Sequence, residues 1–319
     1  MNSRKAVDAP ALALMTGLGM VWGLQQVALK ASADAFSPML QIALRSGIAA
    51  ALVALLMAAR GEQLALRGGP WRPGLAVGAL FALEYLLVCE ALRHTSAGHL
   101  LVFLYTAPVF AALGLHRRLP SERLRPLQWA GIALAMAGIA WAFLGRGAPR
   151  SAGSAAMLWG DLLGLLAGAS WGATTVVLRS TRLAAAPASQ TLLYQLLAAF
   201  VLLGAAAPLL GQARFEATPW VWSHLAFQAV IVSFASFLLW FRLLRSYHAS
   251  QLGVCSFMTP LFGVAFGVWL LNEPLEPGFV AGAALVLAGI VLVSGHAWLG
   301  PRLGRLLSGP ERAWLRGSP

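Results

Sequence analysis

Leu92 to Phe110 reads LRHTSAGHLLVFLYTAPVF, and the pattern returns 152 positions later at Leu244 to Phe262 as LRSYHASQLGVCSFMTPLF. Leu92/Leu244, Arg93/Arg245, Ala97/Ala249, Leu100/Leu252, Val102/Val254, Pro108/Pro260 and Phe110/Phe262 are identical pairs, and Tyr105/Phe257 are both aromatic. Working outward, Trp22-Gly23 with Lys30 eight residues on matches Trp171-Gly172 with Arg179 eight residues on. Glu122, Gly131 and Gly138 fall on Glu273, Gly282 and Gly289 at an offset of 151. A half-protein of about 150 residues is written twice.

Composition decides the solvent. The 319 residues are 59% hydrophobic and 11% charged, with mean hydropathy +0.74. Soluble domains carry about 25% charged residues, so this chain cannot cover itself with polar surface and belongs in a bilayer. A net charge of +12 raises nucleic acid as a partner. The basic residues sit between apolar blocks, however, and form no basic stripe with stacking aromatics, which excludes that class. Cys89 and Cys255 lie in apolar runs and build neither a disulfide framework nor a zinc site. Arg4 and Lys5 before an apolar run, with KASADA at Lys30 to Ala35, mimic a secretory signal. Cleavage there would remove Trp22-Gly23, whose copy is embedded mid-chain, so the signal reading is set aside.

A bilayer core of about 30 Å takes roughly 20 helical residues. Ten segments qualify, near 10–29, 38–59, 73–92, 97–115, 126–144, 158–178, 189–210, 221–244, 250–271 and 277–296. Abundant Gly and Ala permit close helix packing in lipid, and alternating ten-residue strands are absent. With the N-terminus inside, 17 Lys and Arg fall on the inner side, five on the outer side, and Arg45 lies within a helix. The bias places both termini, including a basic tail over 297–319, in the cytoplasm. Five segments per copy is an odd number, so the second copy enters the membrane inverted. The expected fold is all-α and integral to the membrane, with ten transmembrane helices as two inverted five-helix repeats. Inverted repeats are the architecture of alternating access around a midplane site.

Trp22-Gly23…Lys30, the ALRHTSAG…APVF stretch followed by Glu122, and the second-half TPLFG…LNEPL…G…AGI resemble the drug/metabolite transporter superfamily of the EamA-repeat type. The resemblance covers both halves, 12–146 and 158–296. It implies ten helices, two EamA repeats, and export or uptake of small metabolites, with amino acids the best-known class.

Charges inside a bilayer cost roughly 2.5 to 3.5 kcal/mol on insertion scales and need a reason. Arg45, seven residues into the second segment, and Glu84, eight from the end of the third, lie at one depth, about 10 Å below the outer surface. An ion pair between them either fastens the two helices or faces a cavity, where it binds a zwitterion or takes up a proton. Glu90 sits one turn from Arg93 and His94 and reads as an interfacial ion partner. Trp22 and Gln26 share one face of the first segment, and Trp171 and Thr175 repeat that face in the inverted copy. Tyr105 and Gln228 fall at a similar depth. Each Trp is either an interface anchor or a cavity wall, and each Gln or Thr either a helix–helix hydrogen bond or a substrate contact. Pro108 and Pro260 remove a backbone donor mid-helix and release the carbonyls of Leu104 and Ser256 beside Tyr105 and Phe257. They serve as packing kinks or as hinges. Asp161 reads as a helix-dipole partner.

No P-loop and no His/Asp cluster is present, so neither ATP, nor a metal, nor another cofactor is expected. The leading expectation is a secondary transporter, exporting amino acids or related metabolites by alternating access from the cell's inner membrane. Trp22, Tyr105, Trp171 and Phe257 would wall the site, Gln26, Glu84, Thr175 and Gln228 would orient the solute, and Glu84 would carry any proton coupling. An intramembrane enzyme acting on a lipid-linked substrate would need catalytic groups clustered at one interface, which the sequence lacks. A passive facilitator shares the architecture and differs only in kinetics.

Overall fold

The structure is a computed structural model that describes residues 4–62, 70–95, 97–143, 154–272 and 277–294. The expected tail over 297–319 lies outside them. Apolar runs fold into helices because lipid offers no partner for backbone N–H and C=O groups. The first repeat contributes α1 (Ala9–Ser32), α2 (Pro38–Ala59), α3 (Trp71–Ala91), α4 (Ala97–Leu104), α5 (Ala107–Arg118) and α6 (Pro126–Phe143). The second contributes α7 (Ser154–Ser180), α8 (Ala188–Leu209), α9 (Pro219–Ala226), a π-helical stretch over Phe227–Ser236, α10 (Phe237–Ser246), α11 (Ala249–Cys255), α12 (Met258–Leu271) and α13 (Pro277–Ser294). Among the described residues, eight continuous or nearly continuous helical rods are long and apolar enough to cross a membrane. Two further apolar helices, Pro126–Trp141 and Gly278–Val293, fall short of that length among the described residues.

Local chemistry repeats between the copies. Proline opens α2 with Ser37 before it, and proline opens α9, where the Thr218 side chain accepts a hydrogen bond from Val221 N. Pro at the first helical turn loses no bond, because that N–H has no helical partner. Gly61 (φ 64°) and Gly211 (φ 68°) follow α2 and α8 in the left-handed conformation. The next residues bond back, Glu62 N to Met57 O and Gln212 N to Ala207 O, as a glycine-terminated helix does. Ahead of Pro108 and Pro260 the helix does not merely kink. It breaks, at Tyr105–Thr106 and Ser256–Phe257, dividing α4 from α5 and α11 from α12.

The copies interlock by exchange. Trp22-Gly23 of the first copy packs on the Pro-x-Phe turn of the second. A Cβ on Gly23 would come 2.7 Å from Gly263 N and 2.8 Å from Phe262 Cβ. The mirror contact holds Gly172 on the first copy, where an added Cβ would come 2.6 Å from Phe110 Cβ. The duplicated motifs are therefore contact partners, and each glycine is there because a side chain would strike a neighbouring helix. Gly131 meets Gly289 and Gly138 meets Gly282: seven residues forward on α6 is seven back on α13, so these equivalent helices run antiparallel. Gly47 against Phe200 and Gly204 against Ala43 give the same result for α2 and α8. Corresponding helices of the two copies thus point in opposite directions. Large apolar side chains such as Leu55, Trp141, Leu158, Leu209 and Trp269 are exposed on the outside, as lipid-facing residues are.

Candidate functional site

A cavity of about 650 Å³ lies between α1, α3, α4, α7, α10 and α12, within the size range of small-molecule sites. Trp22, Gln26, Glu84, Tyr105, Trp171, Thr175 and Pro260 line it. Trp22 is fixed on the wall by its indole Nε1, which donates to Ser236 Oγ at 2.9 Å, and by edge contacts to Trp240 and Phe237 at 5.6 and 6.3 Å. On the opposite copy, Trp171 stands edge-on to Tyr105 at 5.6 Å. Thr175 Oγ1 donates to the Trp171 carbonyl of its own helix at 3.3 Å. The two Trp-Gly faces thus reach one chamber from opposite copies.

Four of the candidate site residues, Phe257, Pro108, Gln228 and Arg45, do not line the cavity. Phe257 is fully buried and packs behind Tyr105, with centroids 6.2 Å apart. Pro108 is buried against Gly253. Gln228 is fully buried on the π-helical stretch and accepts from Arg45 Nη1 at 2.7 Å. Arg45 also stands 5.2 Å from the centre of the Tyr85 ring and is 1% exposed. Tyr85 lines the cavity and Arg45 does not, so the arginine is held behind the wall by Gln228 and the ring instead of pairing with Glu84. Depth along the helix placed Arg45 and Glu84 together. Rotation about the helix axis separates their side chains.

The cavity extends from Ala33, Pro38 and Leu92, at the end bearing the α1–α2 and α3–α4 connections, to Leu178 and Leu244 at the other end. Beyond Leu178 and Leu244 lies a polar cluster. Arg179, in the last turn of α7, bonds the Glu122 carboxylate through Nη2 and the Leu244 carbonyl through Nη1 at 3.0 Å. Glu122 also accepts from Ala249 N, Ser250 N and Ser250 Oγ at the start of α11, with His248 Nδ1 3.7 Å away. Burial raises the Glu122 carboxyl, but the His248 and Arg179 contacts outweigh burial and hold it down at about 2. The N-terminal segment covers this end: Lys5 N donates to Ser246 O, His248 N donates to Lys5 O, and Val7 N donates to Gln251 Oε1. Arg179 is a buried residue of the last turn of α7. Both Glu122 and Arg179 carried the duplication signal, which was the one sequence cue to this cluster. At the opposite end Glu90 pairs with Arg93 at 3.1 Å and His94 at 3.2 Å, and Asp161 accepts from Thr95 Oγ1 at 2.6 Å.

Two antiparallel helical copies around one chamber in a lipid-facing shell define an integral membrane protein of the transporter class. The EamA-like transporter family model matches residues 9–144 and 158–295, and the chain belongs to that family. The uncharacterized transporter YoaV of Bacillus subtilis is 24% identical over 281 residues, 86% of this chain and 92% of its own length. The uncharacterized protein PA1977 of Pseudomonas aeruginosa is 29% identical over 266 residues, covering 82% and 84%. The uncharacterized inner membrane transporter YedA of Escherichia coli K12 is 24% identical over 300 residues, covering 92% and 93%. A solved crystal structure superposes with a TM-score of 0.77 at 21% identity, over 93% of this chain and all of that one, and shares the fold. The chain is thus a transporter acting on a small-molecule substrate within a lipid bilayer.

Proposed function

We propose that this transporter exports small organic metabolites bearing an amino group, amino acids and related compounds among them, by alternating access. The observation that carries this reading is the asymmetry of the cavity. It extends to one end of the bundle and stops, at the other, at Leu178 and Leu244 before the Glu122–Arg179 cluster. Copies that run in opposite directions can exchange this asymmetry: whichever copy is closed at one face, its counterpart is closed at the other in the alternate state. The breaks before Pro108 and Pro260 are the hinges, because they already lack continuous helical bonding. Glu84, the carboxylate on the wall, takes up and releases the coupling proton. All ten apolar helices cross the inner membrane, with both termini in the cytoplasm, as the distribution of Lys and Arg requires.

Reconstitution in liposomes tests the cycle. A two-state transporter accelerates exchange of labelled solute when unlabelled solute waits on the other side, and a channel does not. Uptake of labelled amino acids and amines should respond to an imposed pH gradient. Glu84→Gln should abolish that response. Exchange without trans-stimulation would reject alternating access, and an unchanged pH response in Glu84→Gln would reject the coupling role.

A further inference from the structure

The cavity is chemically one-sided. Glu84 is 9% exposed, lines the chamber, and has no hydrogen-bond partner among the described residues. No Lys, Arg or His is among the described lining residues. The nearby cation, Arg45, is sealed behind the wall with one N–H committed to Gln228 and its guanidinium carbon over the Tyr85 ring. The chamber also has aromatic walls, with Trp22, Tyr85, Tyr105 and Trp171 all lining it. Elsewhere the described lining is mostly apolar, and its remaining polar side chains, Gln25, Gln26, Gln195, Thr174, Thr175 and Thr259, are neutral.

From this juxtaposition we infer that the chamber selects a solute with one positive charge on an aromatic or apolar body, and discriminates against one that also carries a free carboxylate. The inference rests on the transporter reading and, among its amino-bearing solutes, favours amines, esters and amides over free amino acids. A cation finds a counter-charge in Glu84 and favourable ring faces around it. An amino-acid zwitterion brings a second charge that meets no cation among the described lining residues and repels Glu84. A buried charge without a partner is strongly disfavoured, whereas an ester, amide or hydroxyl in its place can use Thr259 or the lining glutamines.

A charge series on one aromatic body tests this with the full purified chain. The probes are 2-phenylethylamine, phenylalanine methyl ester, phenylalanine, 3-phenylpropionate and 2-phenylethanol. Binding is read by tryptophan fluorescence and by the shift of the melting midpoint. The two cations should bind at least tenfold tighter than phenylalanine, and 3-phenylpropionate should not bind. Glu84→Gln should weaken both cations tenfold or more and leave 2-phenylethanol unchanged. The proposal is overturned if phenylalanine or 3-phenylpropionate matches the cations, if Glu84→Gln leaves cation affinity intact, or if no probe binds. The wild-type series stands even where the variant folds poorly. Counterflow separates the two claims. Glu84-dependent cation binding without exchange sinks the transport reading alone. Exchange of phenylalanine indifferent to Glu84 sinks the cation inference alone.

Discussion

Arg45 on α2 and Arg179 on α7 are both buried, at 1% and 3% exposure, within apolar helices, and each leaves its Nε without a partner. What they are given differs. Arg179 receives a carboxylate and a backbone carbonyl, and the same carboxylate caps the start of α11. Arg45 receives a neutral amide and a ring face. Both contacts join the first copy to the second. The paired arginine belongs to a fastening that ends the chamber. The other is a charge kept beside the chamber without a matching ion, close enough to Glu84 to bias it electrostatically and unable to neutralise a ligand directly.

If that contrast is right, the largest loss comes from orphaning Glu122. Arg179→Ala should destabilise by about 3–5 kcal/mol, as removal of one partner from a buried ion pair does. The melting midpoint in detergent reads the effect, and a double Glu122→Gln/Arg179→Met variant should recover part of it. Acid acts on the same bond. The folded Glu122 carboxyl lies at about 2 against an ordinary 4.5, so the folded state holds fewer protons than the unfolded one in that interval. Its contribution, about 3 kcal/mol at 1.36 kcal/mol per unit, is complete above pH 4.5 and drains away as pH falls toward 2. Melting curves between those values should show it in the wild-type chain and not in Glu122→Gln. A smaller effect is expected at the other arginine: Gln228→Leu strips Arg45 of its amide and should cost about 1–3 kcal/mol. Smallest of all is Arg45→Met, which removes the unmatched charge together with its desolvation penalty and should be close to neutral in stability. A loss there as large as that of Arg179→Ala would erase the contrast.

Hydropathy located the apolar helices within a few residues because length and composition suffice for that. The duplication went further, for Gly23, Gly172, Phe110 and Phe262 were all paired in the sequence and turn out to touch across the copies. Trp22, Gln26, Glu84, Tyr105, Trp171 and Thr175 line the chamber, since polar or aromatic groups at bilayer depth have few other places to go. Gln228 and Phe257 were beyond such reasoning. When every face of a helix is apolar, residue counting gives depth and leaves azimuth open. The π-helical turn over Phe227–Ser236 then alters the azimuth of everything on it, and no residue pattern announces such a turn. Helix limits likewise left Arg45 free to meet Glu84 or Gln228, and packing chose the amide.

The reciprocal seams at Gly23 and Gly172 carry a consequence for heredity. Damage at a seam is repaired from the opposite copy: the second-site suppressor of a bulky change at Gly23 will arise at Phe262, and that of Gly172 at Phe110. Neither copy can drift alone, so the two descendants of the ancestral duplication remain tied in their later histories.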